Sequence, residues 1–446
     1  MAIIHPIQNI VAFGDGLVIF AVIKNVILAY KRQDTGSYKL IGKWTDQYDR
    51  TESIKDKVTK EQDRQIDENA KKQKDNEGNV VIQKKKTEAK IPVPGPGAPP
   101  VYSCIRNLLI SKDGHKLLSC ADSDKSVLVF DIDLNNDTNC LQLVKRQPFP
   151  KRPNSITITD DGKTVIMADK FGDVYSIPTD GEPLKDINDE LDPILGHVSM
   201  LTDVLFKVDS HGKKFIITTD RDEHIKVSHF PQSFIVDKWL FGHSQFLSSI
   251  CSPLWKSEWL FSAGGDDFIY LWDWESGKKL SEFKYSDIIK PYLTEKHLAP
   301  SRFQNESNDI IEYAVSKIVA FSGIPYIAFF VEATNILFIV KIDVENKKIS
   351  ESNTLELPYN IISLNTANDN EVIVSLDNRD SNGENFVKFV KYNSQSCIFE
   401  INEQKTKELD ACFDTLKNDS NITVEKENIF PLYSTTTLRK HGEHYS

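Results

Sequence analysis

Apolar positions recur along most of the chain in short runs rich in Val, Ile, Phe and Tyr, broken by clusters of Gly, Asp, Asn, Ser and Pro. Short apolar runs bounded by turn residues are the pattern of β-strands. Leu17–Ile23 and Val26–Tyr30 flank Lys24-Asn25, and Tyr326–Val331 and Ile336–Val340 flank residues 332–335. Each pair predicts a hairpin. Helical spacing surfaces only over Ser286–Leu293 and Lys405–Leu416. The pattern therefore predicts an all-β fold.

One unit repeats: a small residue, an Asp in a turn, then alternating apolar positions. It reads SCADSDKSVLVF over Ser119–Phe130, MADKFGDVYSI over Met167–Ile177, TTDRDEHIKVS over Thr218–Ser228 and SAGGDDFIYLW over Ser262–Trp272. Gly196-His197 and Gly242-His243 precede the last two, which sets a period of about 45 residues. Gly-His at one end and Trp-Asp at the other is the WD-repeat pattern of β-propellers, with one four-stranded blade per repeat. In the 243–273 copy, His243, Ser262, Asp266 and Trp272 are spaced so that imidazole, hydroxyl and carboxylate bond in series to the indole N–H. Such a network ties the turns of a blade together, because a buried indole and imidazole need partners. His243, Ser262 and Asp266 would also suit a nucleophile, base and orienter. The repeat accounts for all four residues, and nothing supplies an oxyanion hole, so they are read as a structural tetrad.

Setting aside 45–100, 285–309 and 401–428 leaves chain for seven blades of about 48 residues, the usual size of such a repeat. The expectation is one seven-bladed propeller over 1–446, with 45–100 and a loop at 285–309 inserted, and a C-terminal tail at 429–446. A ring has no free edge when both chain ends complete one blade. Ile3–Val11 is therefore expected to pair inside a blade with C-terminal strands. Thr45–Lys90 holds 12 basic and 11 acidic side chains and almost no aromatics. It buries too little apolar area to offset its chain entropy and is predicted to be disordered. Pro92, Pro94, Pro96, Pro99 and Pro100 then stiffen the return to the fold. Lys84-Lys85-Lys86 reads as solvated charge, since acidic residues run through the same stretch.

Composition narrows the function. With 54 Lys and Arg against 65 Asp and Glu, the net charge is −11, which is poorly suited to binding RNA unaided. The longest apolar stretch, Leu17–Tyr30, is interrupted and too short to cross a bilayer as a helix. No basic-then-apolar leader opens the chain, so an intracellular protein is expected. Cys104, Cys120, Cys140, Cys251, Cys397 and Cys412 form no C-x-x-C pair and read as reduced thiols. No phosphate-binding loop, dinucleotide fingerprint, zinc-protease motif or nucleophile elbow is present. His224 and His229 point to opposite faces of a predicted strand. No catalytic residue, metal or cofactor is predicted, and a propeller alone implies only a binding platform.

Several strings exceed what a WD repeat demands. They are ADKFGDVYSI (Ala168–Ile177), PILGHVSMLTDV (Pro193–Val204), DRDEHIKVSHFP (Asp220–Pro231) and RKHGEHYS (Arg439–Ser446), with Ile4–Asn9 and Ala98–Tyr102. In these, over essentially its whole length, the chain resembles the non-catalytic WD-repeat subunit of the heterodimeric tRNA (guanine-N7-)-methyltransferase. The resemblance implies a separate Rossmann-like subunit that binds S-adenosylmethionine and forms N7-methylguanosine in the variable region of tRNA. The propeller would dock on that subunit and keep it folded, in nucleus and cytoplasm, with tRNA held mainly by the partner. The docking surface would lie on blades three and four, at Lys170, Arg221, Asp222, Glu223 and Lys226.

The residues agree with that placement. Five of the seven in Asp220–Lys226 are charged where the fold needs one Asp, and Lys226 stands where other repeats carry Leu128, Tyr175 and Tyr270. The basic pairs Lys145-Arg146, Lys151-Arg152 and Arg439-Lys440 are candidate contacts to the tRNA backbone. The alternative is a general WD-repeat adaptor, for example the substrate receptor of another complex.

Overall fold

The computed structural model describes residues 2–48, 58–66, 103–136, 138–185, 191–381 and 383–441. Seven four-stranded antiparallel sheets follow one another along the chain. Blade 1 is built from Asn9–Phe13, Val18–Ile23, Val26–Arg32 and Tyr38–Thr45, strands a to d from the axis outward. Blades 2 to 7 cover 105–148, 153–196, 201–240, 247–284, 315–356 and 361–401. The chain between the sheets is longest between blades 1 and 2 and between blades 5 and 6.

Strands b and c carry the long apolar runs because both of their faces meet neighbouring blades. All six residues of Val18–Ile23 are buried, and Lys24, at φ 57°, turns the chain so that Ile23 pairs with Val26. The outer strands need one apolar face and are correspondingly polar, as in Lys278–Lys284. In blades 2 to 7 the a–b pairing slips once near the start of strand a. These bulges turn an extra side chain toward the axis. Asn107, Asn154, Thr202, Ser248 and Ser316 accordingly line a central cavity of about 730 Å³.

The ring closes differently from the expectation for Ile3–Val11. Asn9–Phe13 is strand a of blade 1 and pairs with Val18–Ile23 of its own blade. Ala2–Ile4 pairs with Thr423–Glu425 in a separate two-stranded ribbon. Blade 1 already takes all four strands from consecutive sequence, so it offers no vacancy for the other chain end. The seam between blades 7 and 1 is held by packing instead. Helix Glu403–Asp414, capped by Asn402, buries Leu409 and Phe413 in one cluster with Ile10, Tyr30 and Phe386. Arg32 pairs with Glu408 at 2.7 Å, and buried Lys405 with buried Glu371 at 2.6 Å.

The charged insert begins later than residue 45. Thr45 ends strand d of blade 1, and buried Asp46 accepts hydrogen bonds from Ser123 (2.6 Å) and Arg146 (2.9 Å). Residues 58–66 are helical. The disorder expected for the remainder concerns residues outside those described.

Candidate docking face of blades 3 and 4

Strand direction alternates within a blade, so the b–c turns and the links from strand d to the next strand a emerge on one face of the ring. In blade 3 that turn is Lys170-Phe171-Gly172. Asp169 Oδ1 accepts the backbone N–H groups of Phe171 (2.7 Å) and Asp173 (3.0 Å). Gly172, at φ 107°, lies so close to blade 3's own exit strand that a Cβ would come within 2.3 Å of the His197 carbonyl oxygen. Only glycine fits there.

In blade 4 the turn is organised by Asp220, two residues before the Asp222 that aligns with Asp266. Asp220 Oδ1 accepts from the Asp222 (2.8 Å) and His224 (3.1 Å) N–H groups, and its Oδ2 bonds His197 Nδ1 at 2.8 Å. Burial opposes the Asp220 charge, yet these bonds outweigh it and hold the carboxyl below its usual range. His197 Nε2 meets Thr218 Oγ1 at 2.8 Å, but Ser228 occupies the tryptophan position, so the tetrad stops at three members. With Asp220 holding the turn, the Asp222 carboxylate is not needed by the backbone. Glu223, at φ 72°, points into solvent.

Lys226 is buried, as are the Leu128, Tyr175 and Tyr270 that stand in its place elsewhere. Its ammonium donates to the Gly196 carbonyl of blade 3 at 2.6 Å and lies 4.8 Å from the centre of the Trp239 ring. Desolvation pulls its pKa down, partly offset by Asp220. Lys226 thus staples blade 4 to blade 3 rather than standing free on the surface.

Around this staple lies an apolar patch that the charge pattern did not reveal. Phe171 is 60% exposed, Val198 104%, Trp239 37% and Phe241 67%. Trp239 and Phe241 stack at 6.2 Å, and His224 meets both edge-on. A signal was available in Lys238-Trp-Leu-Phe241, where Trp239 and Phe241 alternate with buried Leu240 on an outermost strand that needs only one apolar face. An exposed aromatic group rimmed by Lys170, Asp222 and Glu223 has the composition of a protein interface.

The basic pairs separate by position. Lys145 is buried and donates to the Pro178 carbonyl at 2.9 Å, and Arg146 bridges Asp46 and Asp124. Both are committed to the fold. Arg439 donates to the Gly265 and Tyr313 carbonyls, and Lys440 pairs with Asp222 at 2.6 Å. Lys151 lies 4.1 Å from the Phe171 ring centre, and Arg152 lines the channel mouth with Lys170 and Arg221. Burial and the neighbouring Arg106 lower the pKa of Arg152.

The tetrad of blade 5 forms as expected. His243 bonds Asp266 (2.8 Å) and Ser262 (2.7 Å), and Trp272 Nε1 donates to Ser262 Oγ at 2.8 Å. Ser262 is fully buried, with its hydroxyl held between ring and indole, so it has no free lone pair aimed at a substrate. Among the described residues, no group of three or more His, Cys, Asp or Glu is arranged to hold a metal.

The fold is that of a seven-bladed WD-repeat propeller. Its architecture resembles the solved structures of U3-55K (TM-score 0.53, 83% of this chain and 88% of that one) and of the RRP9 WD40 repeats (TM-score 0.54, 83% and 87%), each 13% identical. A family model described as the tRNA methyltransferase TRM82 WD40 domain matches residues 19–190 and 180–398. Curated relatives named tRNA (guanine-N(7)-)-methyltransferase non-catalytic subunit TRM82 are 55% identical in Vanderwaltozyma polyspora, over all of both chains, and 52% in Kluyveromyces lactis, over 99% of this chain and 100% of that one. The chain belongs to the TRM82 family of non-catalytic tRNA (guanine-N7-)-methyltransferase subunits.

Proposed function

We propose that this chain is the binding half of a heterodimer: the face of blades 3 and 4 receives the catalytic subunit and keeps it in a competent conformation. That subunit binds S-adenosylmethionine and forms N7-methylguanosine in the variable region of tRNA. The observation that carries this reading is the exposed Phe171, Val198, Trp239 and Phe241 patch with its rim of Lys170, Asp222 and Glu223. Its aromatic centre supplies affinity on desolvation, and the charged rim selects the partner and its orientation. The family relationship supports a catalytic methyltransferase subunit as the occupant.

The acidic chain leaves most phosphate contacts to the partner. Lys151 and Arg152 lie beside the Lys170 turn, whose N–H donates to the Arg152 carbonyl at 3.0 Å. They are the basic residues on this face positioned to add a backbone contact to tRNA.

Methyl transfer to tRNA, followed with labelled S-adenosylmethionine, tests the assignment. The purified chain alone is expected to transfer nothing, the catalytic subunit alone little, and the mixture at full rate. A catalytic subunit equally active and stable without this chain would overturn it.

A further inference from the structure

Residues 430–441 cross the turn face of the ring as a strap. Buried Glu332 of blade 6 anchors it, accepting the N–H groups of Thr435 (2.6 Å) and Thr436 (2.8 Å) and the Thr436 hydroxyl. From there the strap reaches blade 4, where the Arg221 guanidinium donates to the Leu438 and Arg439 carbonyls and Lys440 pairs with Asp222. Asp220 fixes the backbone of the blade 4 turn, and Asp222 Oδ1 also accepts the Ser199 hydroxyl at 2.8 Å. The strap engages the side chains of Arg221 and Asp222.

We propose that the docking surface is a composite, completed by the chain's own C-terminal strap, which sets Arg221 and Asp222 in the arrangement that the catalytic subunit meets. This rests on the reading that blades 3 and 4 receive that subunit. Three observations carry it. The strap contacts Arg221 and Asp222, whose side chains the turn's own backbone does not use, although Asp222 also accepts the Ser199 hydroxyl at 2.8 Å. Its anchor lies two blades away, so it spans the ring rather than covering a local gap. Lys440 also changes the charge of the surface: paired with Asp222, it offsets one of the rim's two acids and leaves Glu223 and Lys170 as its open charges. Long side chains held before association lose less freedom when the partner arrives.

The affinity of the catalytic subunit for the full chain, measured by titration calorimetry at fixed salt, tests this with four variants. Glu332→Gln loosens the strap two blades from the docking face and is expected to weaken association about tenfold. Lys440→Glu and Asp222→Lys are each expected to weaken it similarly, and the double exchange, which rebuilds the ion pair with reversed polarity, to recover affinity to within about threefold of the parent. Melting curves accompany each variant. If Glu332→Gln lowers the melting point, the charge exchange decides alone, because it leaves the anchor intact. A double exchange no tighter than the weaker single variant would overturn the proposal, since the partner would then be reading the Asp222 or Lys440 charge itself. Trp239→Ala separates the two levels. Lost binding there with unaffected strap variants sinks only the strap's role, whereas parental binding by Trp239→Ala sinks the docking face beneath it.

Discussion

Blades 4 and 5 are neighbours with the same register, and they put the same turn to opposite uses. In blade 5, His243, Ser262, Asp266 and Trp272 close on one another, and Gly264 lets the turn pass where a Cβ would come within 1.9 Å of the Phe246 carbonyl oxygen. All four side chains look inward. In blade 4 the tryptophan position is Ser228, the glycine position is Asp220, and the imidazole of His197 is held by that earlier aspartate. The turn backbone is satisfied two residues sooner, so Asp222 bonds the Ser199 hydroxyl and Lys440 instead of the imidazole and Glu223 is exposed, while Lys226 braces the strand from within. A repeat that gives up its fourth internal partner gains a charged, shaped surface.

The comparison is most open to test in blade 5. Trp272→Ala removes a fully buried indole and leaves the Ser262 hydroxyl short of a donor, and is expected to destabilise the protein by about 3–5 kcal/mol in urea or thermal unfolding. A change below about 1 kcal/mol would mean that the tetrad does not hold its blade. Lys226→Glu comes next. It places a carboxylate beside Asp220 and the Gly196 carbonyl and should lower stability on the order of 3 kcal/mol, whereas Lys226→Met, which keeps the contact with Trp239, should lose less. If both variants melt like the parent while partner binding falls, Lys226 acts at the surface after all.

A smaller effect separates the blades by pH. Burial, partly offset by the Asp220 bond, holds the His197 pKa below its unfolded value near 6.5. The folded state thus resists a proton that the unfolded chain accepts. This contribution is present above the unfolded value and is lost as pH falls below it. His197→Gln should flatten the fall in stability between pH 7 and 5, and an unchanged slope would remove His197 from the account. The smallest effect is expected from the insert. Deleting 67–90 should leave stability within about 0.5 kcal/mol, while extending the deletion back to residue 45 removes Asp46 with its bonds to Ser123 and Arg146 and should melt clearly lower.

Periodic features were legible in the sequence. The hairpins at Lys24-Asn25 and 332–335, the count of seven blades, the blade 5 tetrad and the placing of Lys170 and Asp222 on neighbouring turns all depend on spacing within a repeat, and spacing survives in one dimension. What was hidden depends on partners brought from elsewhere. Nothing near Arg221 announces that its guanidinium meets Leu438, 217 residues away. Arg439 and Lys440 look like a free basic pair until the strap is laid across the ring. Lys226 reads as an exposed charge because alternation says which face it occupies, but not that blade 3 covers that face. The exposed aromatics give a weaker signal than the charges beside them, carried only by the two-faced apolar character of Lys238–Phe241. The N-terminal strand was misassigned for a simpler reason: closing a blade with both chain ends is one way to seal a ring, and here helix Glu403–Asp414 and a small ribbon seal it by packing.

In the proposed complex the apolar centre of the blade 3 and 4 face holds the catalytic subunit. The dissociation constant of that subunit for a Trp239→Ala, Phe241→Ala double variant, set beside the variant's melting temperature, tests it most directly. Weakening by about thirtyfold or more with the melting temperature nearly unchanged is the predicted result. Parental affinity in a correctly folded double variant would contradict the account.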